Sequence, residues 1–137
     1  MKIGFDMRAV LGTSWFGSDH RGSLLAPTGV PGYVYNLLAH LVAIDKKNEY
    51  ILFFNSYKKP DTSWIDAILG QPNVTFKSFN LPNKIFDRTA RFFRWPKIDK
   101  LLGGVDIFFS PHINITPLSA SVKHVMMIHD LSFKIYP

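Results

Sequence analysis

Four clusters of residues have types and spacings that could do chemistry. The first is Thr28-Gly29-Val30-Pro31-Gly32, which opens a helical pattern. Free backbone N–H groups at a helix start attract anions, and glycine lets a phosphate approach the backbone closely. Gly29, Val30 and Gly32 are therefore candidates for phosphate contact. The alternative is a loop that needs glycine for a positive φ. The second cluster is Ile128-His129-Asp130, directly after an apolar run. Here a histidine can exchange protons near neutral pH, and a carboxylate can hold a sugar hydroxyl. It could equally be a strand-ending pair in which Asp130 caps the next segment. The third is His112 with Asn114, polar residues in a proline-bounded loop. The fourth is Lys84 to Lys100, with six basic residues against Asp87 and Asp99. Lys84, Arg88 and Arg91 share a helical face, Arg94 follows, and Phe86, Phe92, Phe93 and Trp95 lie among them. A basic face beside aromatics fits a helix lying on an anionic membrane. An ordinary surface helix that packs its Phe residues on a sheet fits as well.

The elements that must position these clusters alternate between short apolar runs and helical patterns. The runs are Lys2 to Arg8, Tyr50 to Asn55, Val74 to Phe79, Val105 to Ser110 and Val122 to Ile128. Between them, Gly29 to Asp45 places Val34, Leu37, Leu38 and Leu41 at helical spacing, with Pro31 tolerated in the first turn and Lys46, Lys47 and Asn48 at the close. Pro60 to Leu69 predicts a short helix, and Lys84 to Leu102 a basic helical stretch broken at Pro96 and ended by Gly103 and Gly104. Residues 9 to 28 read as a long Gly/Ser-containing connection. Strands that are apolar throughout and alternate with helices predict an α/β Rossmann-like, doubly wound parallel sheet covered on both faces. Ligands of such sheets bind beyond the C-terminal strand ends, which selects the loops after Arg8, Ser110 and Ile128. His20, His40 and His124 carry no motif and are expected at the surface or in packing.

Composition narrows the classes. The 137 residues suit one domain, and 47% hydrophobic with 19% charged residues excludes a disordered chain. No apolar run approaches membrane-spanning length, and the N-terminus lacks a secretory h-region. The expected compartment is the cytoplasm, and the membrane reading of Lys84 to Lys100 would add a peripheral place on the inner face of the membrane. The absence of cysteine removes disulfides, thiolate catalysis and Cys-based zinc sites. No spacing matches His-Glu-x-x-His or a facial triad, so no metal or other cofactor is expected. The formal charge of +6 favours phosphate-bearing or anionic partners. No nucleic-acid motif accompanies it.

The segments also resemble a family. Met1-Lys2-Ile3-Gly4-Phe5-Asp6-Met7-Arg8 is similar to the usual first strand, close to M-K-I-G-I-D-A-R, of family-four retaining glycosyltransferases with the two-domain GT-B fold. Thr28 to Leu38 resembles their glycine-loop helix, commonly G-I-G-R-Y-x-x-N-L-L, and Asn48 to Asn55 their N-E-Y-x-L-F strand. Met127-Ile128-His129-Asp130-Leu131-Ser132-Phe133 resembles the T-I-H-D-L-S-F motif. The order and spacing agree. Two departures stand out: the common arginine of the glycine loop is absent, and Pro31 removes an N–H donor.

The resemblance implies transfer of a sugar from a nucleotide-sugar donor, with retention, to a polysaccharide or glycolipid acceptor. It places Gly29, Val30 and Gly32 at the donor diphosphate and His129 with Asp130 at the reacting sugar, with His112 and Asn114 as lower candidates in the same cleft. Residues 1–137 would be the N-terminal, acceptor-side domain. The donor-binding domain that carries paired glutamates is absent, so a missing domain or partner chain is expected, and no transferase activity from this chain alone. The family's domain would run past Pro137, which leads to the expectation of a fragment, a truncated product or half of a split enzyme. The rival from another class is a non-catalytic membrane-surface or partner-binding module using Lys84, Arg88, Arg91 and Arg94. A stand-alone nucleotide-binding module ranks last, because no Gly-x-Gly-x-x-Gly fingerprint is present.

Overall fold

The run Lys2–Asp6 forms strand β1, whose last three residues are buried. Glu49–Asn55 forms β2, buried at every position after the first. Such runs cannot present a polar face to water, so they settle in the middle of a sheet covered on both sides. The computed structural model describes residues 1–11, 29–57, 62–113 and 115–129. Val74–Phe79 is β3, Ile107–Ser110 is β4 and Lys123–Met126 is β5. The five strands form one sheet in the order β3-β2-β1-β4-β5, and every pairing is parallel. The fold is thus α/β and Rossmann-like. The chain winds outward from β1 through β2 to β3, then returns to the other side of β1 for β4 and β5. The direction of winding reverses between β1 and β4, and their C-terminal ends flank the crevice where such sheets take ligands.

Helices cover both faces. Arg8–Leu11 is α1 and Gly29–Ile44 is α2. A 3-10 turn at Ser63–Ile65 runs into α3, Asp66–Leu69. Asn83–Phe93 is α4 and Ile98–Leu101 is α5. Alternation along β2 divides the core. Tyr50 and Leu52 join Phe5, Val34, Leu38 and Ile68 on the α2 side. Ile51 and Phe53 join Phe86, Ile98, Leu102 and Phe108 on the α4 and α5 side. Each of these large side chains, when fully buried, contributes roughly 1.5–3 kcal/mol of apolar transfer.

Two expectations change. The connection expected over residues 9 to 28 begins as helix: the Met7 carbonyl accepts from the N–H groups of Val10 and Leu11, closing α1. The rest of that segment lies outside the described residues. The fifth run, expected as one more strand of a sheet covered on both faces, is exposed at all four positions of β5, with Val125 48% and Met126 43% exposed. Among the described residues nothing pairs with its outer edge, and two of its four residues, Lys123 and His124, are polar. The helix break at Pro96 falls as expected, between α4 and α5, with a cis Trp95–Pro96 bond. At the end of α2 the Asp45 carboxylate accepts from Asn48, Lys47 and Tyr50, and these hydrogen bonds, led by that of Asn48, hold its pKa at about 2. Among the described residues no helix is long and apolar enough to cross a membrane.

Candidate functional site

The C-terminal ends of β1, β4 and β5 bring the chemistry together. Asp6, the last residue of β1, is fully buried. A buried carboxylate needs a counter-charge and donors, and Arg8, two residues on, folds back to supply them. Its Nη2 and Nε donate to Asp6 Oδ2 and Oδ1 at 2.7 and 3.0 Å, and its backbone N–H donates to Oδ1 at 3.0 Å. The guanidinium lies 5.4 and 5.5 Å from the ring centres of Phe53 and Phe86. Nη2 also donates to Thr116 Oγ1 at 3.2 Å. Thr116 Oγ1 is 3.5 Å from Ser110 Oγ, which is 2.8 Å from His124 Nε2. A polar chain thus runs from the buried end of β1 to the edge strand. His124 stacks edge-on to Phe108 and acts in packing, as expected.

His112, just past β4, has its Nε2 3.8 Å from Asp6 Oδ1. Burial holds its pKa below the usual 6.5; Asp6 pulls the other way, while Arg8 and His129 add to the lowering. The ring is therefore neutral at pH 7, and its Nε2 makes no hydrogen bond among the described residues. His129 follows β5, which is continued by the Met127 N–H donating to the Ser110 carbonyl at 2.9 Å. Its Nε2 is 2.6 Å from the Pro111 carbonyl. A carbonyl only accepts, so Nε2 carries the proton and Nδ1 is left to accept or move one. The exposed His129 ring meets Tyr33 edge-on, with centroids 5.6 Å apart.

Tyr33 sits near the start of α2, so the glycine-containing segment and the histidine segment, far apart in sequence, touch in space. Gly29 opens α2 at φ 63°, a left-handed conformation that favours glycine, and among the described residues nothing lies within 4 Å of the position a Cβ would take. Val30 is partly exposed and Gly32 is buried, and the Gly32 carbonyl accepts from Asn36 at 2.8 Å. The first turn of α2 carries no acidic residue, so its positive end is not offset there. Asp130 and Asn114 lie outside the described residues.

The basic segment divides. Phe86 is 3% exposed and packs on the sheet, whereas Phe92, Phe93 and Trp95 are 75%, 77% and 63% exposed. Lys84, Arg88 and Arg91 line a groove of about 740 Å³ that also includes Arg8, Ile113 and Ile115. Arg94 stands apart from that wall: it ends α4 in a left-handed turn at φ 49°. The groove opens at the same sheet edge as His112 and the Asp6–Arg8 pair. Among the described residues no group of three or more His, Asp or Glu could hold a metal ion.

Sequence reasoning named His112, His129 and the glycines here, but missed Asp6, Arg8, Tyr33 and Thr116. An acid ending an apolar strand, with an arginine two residues later, was the available signal for the first two. Searches of protein-family models, curated proteins and solved structures find no match to this chain.

Proposed function

We propose that this chain is the acceptor-side domain of a retaining glycosyltransferase that uses a nucleotide-sugar donor. The observation carrying the proposal is the contact between Tyr33 at the α2 start and His129 after β5. It brings the glycine-loop segment and the histidine segment, both resembling that family, to one crevice at the switch of sheet winding. In this reading the N–H groups at Gly29 and Val30 face the donor diphosphate, where negative charge grows as the bond to the sugar breaks. His129 Nδ1 lies toward the reacting sugar and accepts a hydrogen bond from a sugar hydroxyl. The donor nucleotide is held chiefly by a second domain or a partner chain, and the acceptor glycan or glycolipid lies on this side.

The test is transfer of labelled sugar from a panel of nucleotide sugars by the native gene product, with the product's anomeric configuration read by NMR. Retention is expected. His129→Ala should lower the rate by about a hundredfold or more with little change in melting temperature, because the ring is exposed. Inversion, or equal loss of activity and stability, would overturn the reading. Sugar transfer by residues 1–137 alone would overturn the part assigned to a second domain.

A further inference from the structure

We infer that the groove beside α4 binds the phosphate of a membrane-borne lipid, with the lipid's apolar portion against the exposed side chains at its rim. Lys84, Arg88 and Arg91 line one side, in a row that extends about 10 Å along the helix. Neighbours three and four residues apart on a helix are close enough to meet one anion together. Without an anion they repel one another, and among the described residues none of the three forms a salt bridge. Asp87 is the carboxylate at the wall, against three cations on the same helix and Arg8 at the floor. The floor also holds the buried Phe86 and Asn55.

The remaining wall is apolar and open: Phe92, Ile113 and Ile115 are 75%, 60% and 47% exposed. A volume of about 740 Å³ is far more than a phosphate fills and is ordinary for an amphiphile's headgroup region. Phe93 and Trp95, 77% and 63% exposed, extend the apolar rim past the end of α4. Aromatic side chains beside cations favour the boundary between headgroups and acyl chains. Both features point to a phosphate presented by a bilayer rather than one free in solution. The inference deepens the glycosyltransferase reading and rests on it for one point, that the lipid is the acceptor; binding itself stands on the groove alone.

The test is co-sedimentation of the full chain with phosphatidylcholine vesicles, with and without 20 mole per cent phosphatidic acid (roughly the anionic density of a cytoplasmic leaflet). Soluble dihexanoyl phosphatidic acid serves as competitor. Binding is expected only with phosphatidic acid. Arg88→Gln/Arg91→Gln should weaken it about thirtyfold, roughly five- to sixfold per cation. Lys47→Gln/Lys123→Gln, with the same change in net charge away from the groove, should weaken it far less. Circular dichroism checks that each variant is folded. Equal weakening by the two pairs would mean diffuse adsorption and would overturn the site. Binding of the soluble ester but not of vesicles would overturn the membrane source, and no binding at all would overturn the whole inference. Lipid binding without sugar transfer by the native gene product would refute the transferase reading while leaving the groove intact. Transfer without lipid binding would do the reverse.

Discussion

Asp6→Asn perturbs the site at its most buried charge. The substitution keeps the volume and one oxygen, which can still accept from the Arg8 backbone N–H, now 3.0 Å away. It removes the negative charge and sets an amide NH2 where Arg8 Nη2 now donates at 2.7 Å. The Arg8 side chain is only 12% exposed, so water replaces the lost partner poorly. Breaking one side of such a buried pair costs about 3–5 kcal/mol. For a chain of 137 residues this corresponds to a fall in melting temperature of roughly 10–17 °C. The assay is urea unfolding at pH 7, with a constant m-value required before energies are compared. Arg8→Met leaves Asp6 buried without its cation and should cost a similar amount. The double variant should cost less than the sum of the singles by about 2 kcal/mol or more, because neither charge is then left alone. Additive singles would refute the reasoning, as would a cost below about 1 kcal/mol for Asp6→Asn, since either would mean that the pair is solvated in solution.

Two further outcomes follow from other contacts. A Cβ on Gly4 would lie 2.5 Å from Phe108 Cδ2 and 3.3 Å from Leu102 Cδ1, inside the sheet and its packing helix. Gly4→Ala should therefore destabilise by about 1–3 kcal/mol, and Gly4→Ala/Phe108→Leu should recover part of that in the same urea assay; no recovery would place the cost elsewhere. The lowered pKa of His112 means that the unfolded chain takes up a proton near pH 6.5 while the folded chain resists until lower pH. Stability is thus present above about pH 6.5 and is lost as pH falls through the window below it, by at most about 1.4 kcal/mol per pH unit for this group. His124, also lowered by burial, adds in the same direction, so His112→Gln should flatten the slope between pH 7 and 5 without abolishing it. An unchanged slope would refute the assignment.

What was legible in the sequence follows from what each signal depends on. Tyr50 to Asn55 reads as a strand because both sheet faces are covered there, so burial and sequence pattern coincide. Val122 to Ile128 is apolar apart from Lys123 and His124, and its strand, Lys123–Met126, is an exposed edge, because composition records what a segment can tolerate and not what lies beside it. The break at Pro96 was legible because proline lacks the N–H that would continue the helix. The four-residue α1 was not, since so short a turn has no period to detect. His129 was found through a local motif. Asp6 and Arg8 were read as part of an apolar run, although a charged pair two residues apart at a strand end has few ways to be buried except against each other. The groove was not legible at all, because its lining comes from the start of α1, the end of β2, α4 and the loop after β4.

That lining also explains why the basic segment admitted two readings. Phe86 behaves as the side chain of an ordinary packed helix, while Lys84, Arg88 and Arg91, on turns of the same helix, face open space with no salt bridge among the described residues. A solvated charged face and a ligand-binding face differ by what stands opposite the charges. Here the three cations share the groove with the exposed Ile113 and Ile115 and with one carboxylate, Asp87. Arg8 has the reverse arrangement: Asp6 offsets its charge, Phe53 and Phe86 flank its plane, and its role is to fix the end of β1. The field at this edge therefore comes from the α4 cations and the positive end of α2, both of the sign that a phosphate group requires. Because the structural cation and the open ones lie on different elements, removing Arg88 and Arg91 changes the field a ligand meets and leaves the Asp6–Arg8 pair intact. Binding and folding can then be altered one at a time.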